Sequence, residues 1–167
     1  MSKEFRPWKI DEAQLLPPSV QDYVPKNHLS RLIVSLVREE LDLSAISGSY
    51  AAFNSGDMDT LTQIIDESCT WHTPGKSPIA GDYEGREATF GHFGRYGGET
   101  HGTFRANVLH VMESEDGCVV GVQRSTGERN GNRLDVLCCI VFDIKNGKLM
   151  DGREHIYDLY AWDTFWA

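Results

Sequence analysis

The chain of 167 residues reads as an α+β protein, with helices first and a long antiparallel meander after them. Two observations carry that reading. Residues 132–158, NRLDVLCCIVFDIKNGKLMDGREHIYD, hold two strand patterns around Asn146-Gly147, a pair that tolerates positive φ at a hairpin turn. Upstream, short runs with apolar residues three and four apart end in Asn, Ser or Gly, as helices do. In the first arm of the ribbon Leu134, Val136, Cys138, Ile140 and Phe142 share one face at period two, and Asp135 and Asp143 take the other. In the return arm Glu154 falls in line with Gly152 and Ile156. A carboxylate on an otherwise apolar sheet face is costly to bury, so it marks a candidate for chemistry. The alternative is a solvated or Arg-paired Glu.

The elements follow in order. Residues 1–27 are irregular, because Leu15-Leu16-Pro17-Pro18 cannot be helix interior. Asn27 is placed to cap a helix over 28–41, with Leu29, Leu32, Ile33, Leu36 and Val37 as its apolar stripe. Residues 49–53 are expected helical, with Asn54-Ser55-Gly56 as the stop. Asp57 caps a short helix carrying Leu61, Ile64 and Ile65 on one side. Residues 69–73 form a strand, residues 74–85 a Gly/Pro-rich loop, and residues 86–96 a helix with Phe90 and Phe93 inward, stopped by Gly97-Gly98. Residues 103–112 alternate Phe104, Ala106, Val108 and His110 as a strand. A turn at 114–117 leads to a strand over 118–126, a polar connection at 128–132, and the ribbon. The tail LYAWDTFWA is apolar enough to dock on a core or a partner.

Composition excludes several classes. A net charge of −9 and a pI near 5.0 argue against a sequence-independent nucleic-acid surface and against anionic membranes. No apolar run reaches the roughly 20 residues that span a bilayer. The segment MSKEFRPWKIDEAQ lacks an apolar signal core, so a cytoplasmic location is expected. Cys69, Cys118, Cys138 and Cys139 make no CxxC pair and suit reduced, largely buried thiols. His101, His110 and His155 show no HxH or HxxxH spacing, so neither a metal nor a cofactor is expected.

Two resemblances divide the chain at about residue 44. FRPWKIDEAQLLPPSVQDYVPKNHLSRLIVSLVREELDLSAI, residues 5–46, resembles the extreme N-terminus of insertion-sequence transposases of the DDE type. The rest has no room for a transposase catalytic domain, so residues 1–43 are expected to be a fused leader without transposition activity. Residues 1–46 carry six Lys/Arg against seven Asp/Glu, which is no basic DNA-binding arm.

Residues 44–167 resemble the SnoaL-like branch of the nuclear transport factor two-like superfamily. YAAFNSGDMDTL, TWHTPGKSPIAGDYEGRE, GTFR, VFDIKNGKL and YAWDTFW carry that resemblance. It implies a cone-shaped fold in which a strongly bent, mostly antiparallel sheet wraps around N-terminal helices and leaves an apolar pocket. It also implies a homodimer through the outer sheet face. Ketosteroid isomerase, polyketide cyclases and limonene epoxide hydrolase belong to this superfamily, and all need acid/base groups in a dry pocket.

Residue by residue, the isomerase base falls at Thr73 or His72, depending on which Pro anchors the match. Its Tyr donor falls at Ser49, beside Tyr50, and its second Asp at Cys138. The epoxide hydrolase Arg falls at Arg124, its first Asp at Thr126, and its last Asp at Glu154. The resemblance thus leaves Glu154, His72 and Arg124 as catalytic candidates, with Tyr50, Trp71, Val136, Cys138 and Ile156 as pocket walls. Competing readings are a hydrogen-bonded structural role for His72 and a surface ion pair for Arg124. Asp135, on the parity opposite Cys138, is expected outside. The expected function is acid/base isomerisation, cyclisation or hydrolysis of a hydrophobic carbonyl or epoxide compound. The alternatives are a non-catalytic ligand-binding or dimerisation module, and a product of transposon insertion with no function of its own.

Overall fold

One parallel pairing joins the first two strands of the chain to the long antiparallel meander in a single open sheet. The six strands of a computed structural model lie in the order β2-β1-β6-β5-β4-β3. The structure describes residues 43–113 and 118–167. The elements are α1 (Leu43–Ser55), α2 (Met58–Ile64), β1 (Ile65–Thr73), β2 (Gly81–Glu84), α3 (Arg86–Glu99), β3 (Arg105–Glu113), β4 (Val119–Arg129), β5 (Asn132–Lys145), β6 (Lys148–Ile156) and α4 (Leu159–Trp166). They belong to one unit of the chain, Glu39–Ala167. Strands β3 to β6 form an antiparallel meander, and β1 joins β6 in parallel. The expected α+β class and mostly antiparallel, curved sheet are present. Most of the transposase-like segment, with the helix expected over 28–41, lies outside the described residues.

Each boundary has a local cause. Asp57 caps α2 by accepting from the Thr60 amide at 3.1 Å. Asn146-Gly147 turns the β5–β6 ribbon with φ of 52° and 70°. Asp158 caps α4, accepting from the Ala161 amide at 2.9 Å. The tail docks as expected: Trp162, Phe165 and Trp166 are fully buried. Each such burial contributes about 2–3 kcal/mol. Arg129 fixes the tail's end by donating to the carbonyls of Phe165 and Ala167 at 2.9 and 2.7 Å, with its guanidinium 6.0 Å from the Trp166 ring centre.

Four local expectations change. The loop over 74–85 contains β2, whose Tyr83 and Asp82 pair with Trp71 and His72 of β1. Helix α3 runs through Gly97-Gly98 to Glu99, where Thr100 donates its hydroxyl back to the Tyr96 carbonyl at 2.6 Å. Ile65 starts β1 rather than ending α2. His110 faces solvent, because the β3–β4 register slips between Val108 and His110. The extra residue reverses the alternation beyond it and turns Val111 toward the interior.

Trp71 lies flat against Gly152, its register partner on β6, and a Cβ at Gly152 would overlap the indole. Gly94 of α3 has open space around the same position. Gly152→Ala should therefore destabilise by about 1–3 kcal/mol in urea unfolding, and Gly94→Ala should stabilise by about 0.5–1 kcal/mol. Effects of the same sign at both positions would contradict this packing.

Candidate functional site

Glu154 reaches the interior because alternation along the second half of β6 points Gly152 and Glu154 inward and Arg153 and His155 outward. It pairs across the ribbon with Ile140 and is 7% exposed. Helix α3 lies over it and supplies Tyr96, whose hydroxyl donates to the carboxyl oxygens at 3.1 and 3.2 Å. Behind Tyr96, one turn back on the same helix face, His92 places Nε2 at 2.9 Å from the tyrosine oxygen and at 2.9 Å from the Thr73 hydroxyl. The four side chains are buried together. Tyr96 spends its hydrogen on Glu154, so His92 must be the Nε2–H donor toward it. Nδ1 of His92 is then a bare lone pair, consistent with its having no partner.

Electrostatics follow from burial. Burial raises the Glu154 pKa to about 7, offset in part by the Thr73 and Tyr96 hydroxyls. Burial and the nearby Arg95 cation lower His92 to about 3, so its ring is neutral. Burial and the Glu154 charge hold Tyr96 well above the ordinary phenol range. The cluster thus holds one group that changes charge near neutral pH, beside a permanently protonated hydroxyl.

Glu154 borders a cavity of about 60 Å3. Tyr50 and Phe53 of α1, Trp71 of β1, Phe93 and Tyr96 of α3, Phe104 just before β3, and Ile140 and Phe142 of β5 wall it. Among the described residues Ser49 and Gln123 are its other polar neighbours, and no Lys, Arg or His borders it. The volume is far below the several hundred Å3 of drug-sized ligand sites. It fits a compact group unless the walls move.

The expected site residues separate into two sets. Glu154, Tyr50 and Trp71 line the cavity. Val136 and Cys138 are buried on the inner face and Ile156 is half-buried, but none of the three borders it. His72 is a correction. It has the parity opposite Trp71 and Thr73, faces outward, and holds Asp82 through Nδ1 at 2.6 Å and Asp151 through Nε2 at 2.9 Å. Burial alone would lower its pKa, but the two carboxylates outweigh that and raise it. Arg124 is a second correction. It is 56% exposed and forms a two-pronged pair with Asp135 at 2.5 and 2.6 Å on the outer face. Its inward neighbour Gln123 takes the pocket position. The structural reading of His72 and the ion-pair reading of Arg124 are therefore the ones the geometry favours. An epoxide hydrolase constellation is absent from the described cavity wall. The residues missed are Tyr96 and His92, and their spacing of four on an expected helix was the available signal. Among the described residues no group of three or more His, Cys, Asp or Glu is placed to hold a metal ion, and no helix is long and apolar enough to cross a membrane.

The raised Glu154 pKa has a stability consequence with a definite sign. Between its ordinary value of 4.5 and about 7 the folded state holds a proton that the unfolded chain has lost. That stabilisation is full below the unfolded value and is gone once pH passes about 7. The fold should lose on the order of 3 kcal/mol from this group between pH 4 and pH 8. Unfolding of Glu154→Gln against the parent across that range isolates the effect, since His72 contributes equally to both. The variant should gain relative stability as pH rises; a pH-independent difference would contradict the burial of an ionisable Glu154.

Comparison with known proteins agrees with this architecture. The SnoaL-like domain model matches residues 46–152. Bal32a, from a soil-derived mobile gene cassette, is 62% identical, with 78% of this chain and 99% of that chain covered and a TM-score of 0.76. An uncharacterized protein of Mycobacterium tuberculosis is 29% identical over 129 residues, covering 77% of this chain and 98% of its own. TerC, co-crystallized with polyporic acid, is 18% identical, with coverages of 74% and 95% and a TM-score of 0.64; at that identity the likeness shows the fold. The chain belongs to the SnoaL-like domain family, with the curved-sheet, nuclear transport factor two-like fold.

Proposed function

We propose that the protein is a small-molecule acid/base enzyme in which Glu154 moves a proton on carbon next to a carbonyl, in a compact hydrophobic compound. The single observation that carries this reading is a solvent-excluded carboxyl with a pKa of about 7, aimed into an apolar cavity and hydrogen-bonded by Tyr96. A base poised near working pH holds both the right protonation state and a useful driving force. The apolar wall keeps water from competing for the proton. His72 and Arg124 have no part in this step, since both face away from the cavity. No cofactor enters it.

Exchange of α-hydrogens of cyclohexanone in D2O, followed by NMR, tests the assignment. The rate should rise with pH through a midpoint near 7, and Glu154→Gln should lose about 100-fold or more. Acceleration that survives the substitution contradicts it. The second reading, a binding module without turnover, is favoured by the cavity of about 60 Å3. Binding of small ketones with no exchange above background would select it.

The outer sheet face supports the expected homodimer. Val120 pairs with Val141 and Val122 with Cys139 across β4 and β5, and the exposed Met112 and Leu137 extend that patch. Light scattering should give twice the chain mass for the parent and a single chain mass for Val141→Arg. A monomeric parent would remove the dimer.

A further inference from the structure

Three residues on the cavity wall, Tyr50, Trp71 and Gln123, carry a buried polar atom without a partner, and those of Tyr50 and Gln123 are both held at strand β4. Gln123 is 4% exposed. Its Nε2 donates to the Ser125 hydroxyl at 2.9 Å, which fixes the amide plane. Its Oε1 is buried and unpaired. The Tyr50 hydroxyl is likewise buried and unpaired. That hydroxyl rests against Gly121, where a Cβ would overlap it. Gly121 and Gln123 are same-face neighbours on β4, about 7 Å apart along the strand. The Tyr50 donor thus stands over Gly121, and the Gln123 acceptor belongs to the next inward residue of the same strand. A buried polar group left unpaired costs roughly as much as a lost hydrogen bond, so such a pair in a cavity wall needs an occupant.

We propose that Gln123 and Tyr50 select an uncharged hydroxyl-bearing ligand, the hydroxyl donating to Gln123 Oε1 and accepting from the Tyr50 O–H. This rests on the small-molecule pocket reading and adds the polarity of what it takes. One hydroxyl satisfies both orphans, which a carbonyl, an ether or a hydrocarbon cannot do. Burial and the neighbouring Cys138 and Glu154 keep the Tyr50 phenol protonated, so it stays a donor. The charge of the wall excludes the obvious rivals. Among the described residues Glu154 is the single carboxyl on it, with no Lys, Arg or His to balance an anion. A carboxylate or phosphate entering there would be buried uncompensated beside a second acid. Gln123 is thus a specificity-determining residue, set apart from the proton-moving group on β6.

Calorimetric titration of the full chain with phenol, anisole, toluene and benzoate at pH 7 tests this. Phenol should bind about tenfold more tightly than anisole or toluene, and benzoate should not bind. Gln123→Leu should bring phenol within about twofold of anisole while leaving anisole unchanged. Should that variant fail to fold, Gln123→Met and the parent's own phenol-to-anisole ratio still decide the matter. Equal binding of phenol and anisole, a phenol preference that survives both substitutions, preferential binding of benzoate, or binding of none of the four would overturn the proposal. The titration reads binding alone. Failure of the Glu154 proton-transfer reading appears separately, as absent hydrogen exchange with the phenol preference intact.

Discussion

The interior of this protein is arranged around the burial of one carboxyl group. Glu154 sits on the inner sheet face beside Trp71, Ile140, Phe142 and Leu149. Such a group survives in the core only if it is neutral or well partnered. The fold supplies both conditions. Desolvation keeps the proton on the carboxyl up to about pH 7. Tyr96 supplies a hydrogen bond from a helix that packs on β1, and His92 and Thr73 fill the space behind it. Removing any one of these partners leaves the others with unpaired atoms in a dry interior.

Two glycines explain how large rings and polar groups share this space. Gly152 lets the Trp71 indole lie against β6 two residues from Glu154, and Gly121 lets the Tyr50 hydroxyl lie against β4 two residues from Gln123. Both are same-face neighbours of a polar residue. The backbone is brought close where a side chain must be aimed. The aromatic rings then pack edge to face around the site, as Trp71 does on Phe93 at 4.8 Å and Phe53 on Phe93 at 5.3 Å. The cavity that remains is small because these rings interlock.

Much of this was legible in the sequence. The β5–β6 ribbon, its turn and the inward parity of Glu154 follow from period-two alternation, although the register slips between Asp143 and Ile144 near the turn. Parity also shows His72 to be outward, since Cys69, Trp71 and Thr73 alternate with it; matching it to a family motif overrode that simpler signal. Arg124 misled in the same way, with Gln123 on the inner parity. Strand β2 was hidden because a Gly/Pro-rich segment reads as loop until β1 offers it an edge. The bulge at Leu109 was not legible, since an inserted residue leaves no mark on composition. Tyr96 and His92 were within reach through their spacing of four, but their partner lies 58 residues from Tyr96, and only the fold brings it there.

The central claim is that Glu154 is a buried acid that changes charge near neutrality. Its side-chain carboxyl carbon, followed by 13C NMR in protein labelled at glutamate and assigned by comparison with Glu154→Gln, reports that titration directly. The account predicts a single resonance with a midpoint near pH 7, two or more units above the exposed glutamates. A midpoint in the ordinary glutamate range near 4.3 would contradict it.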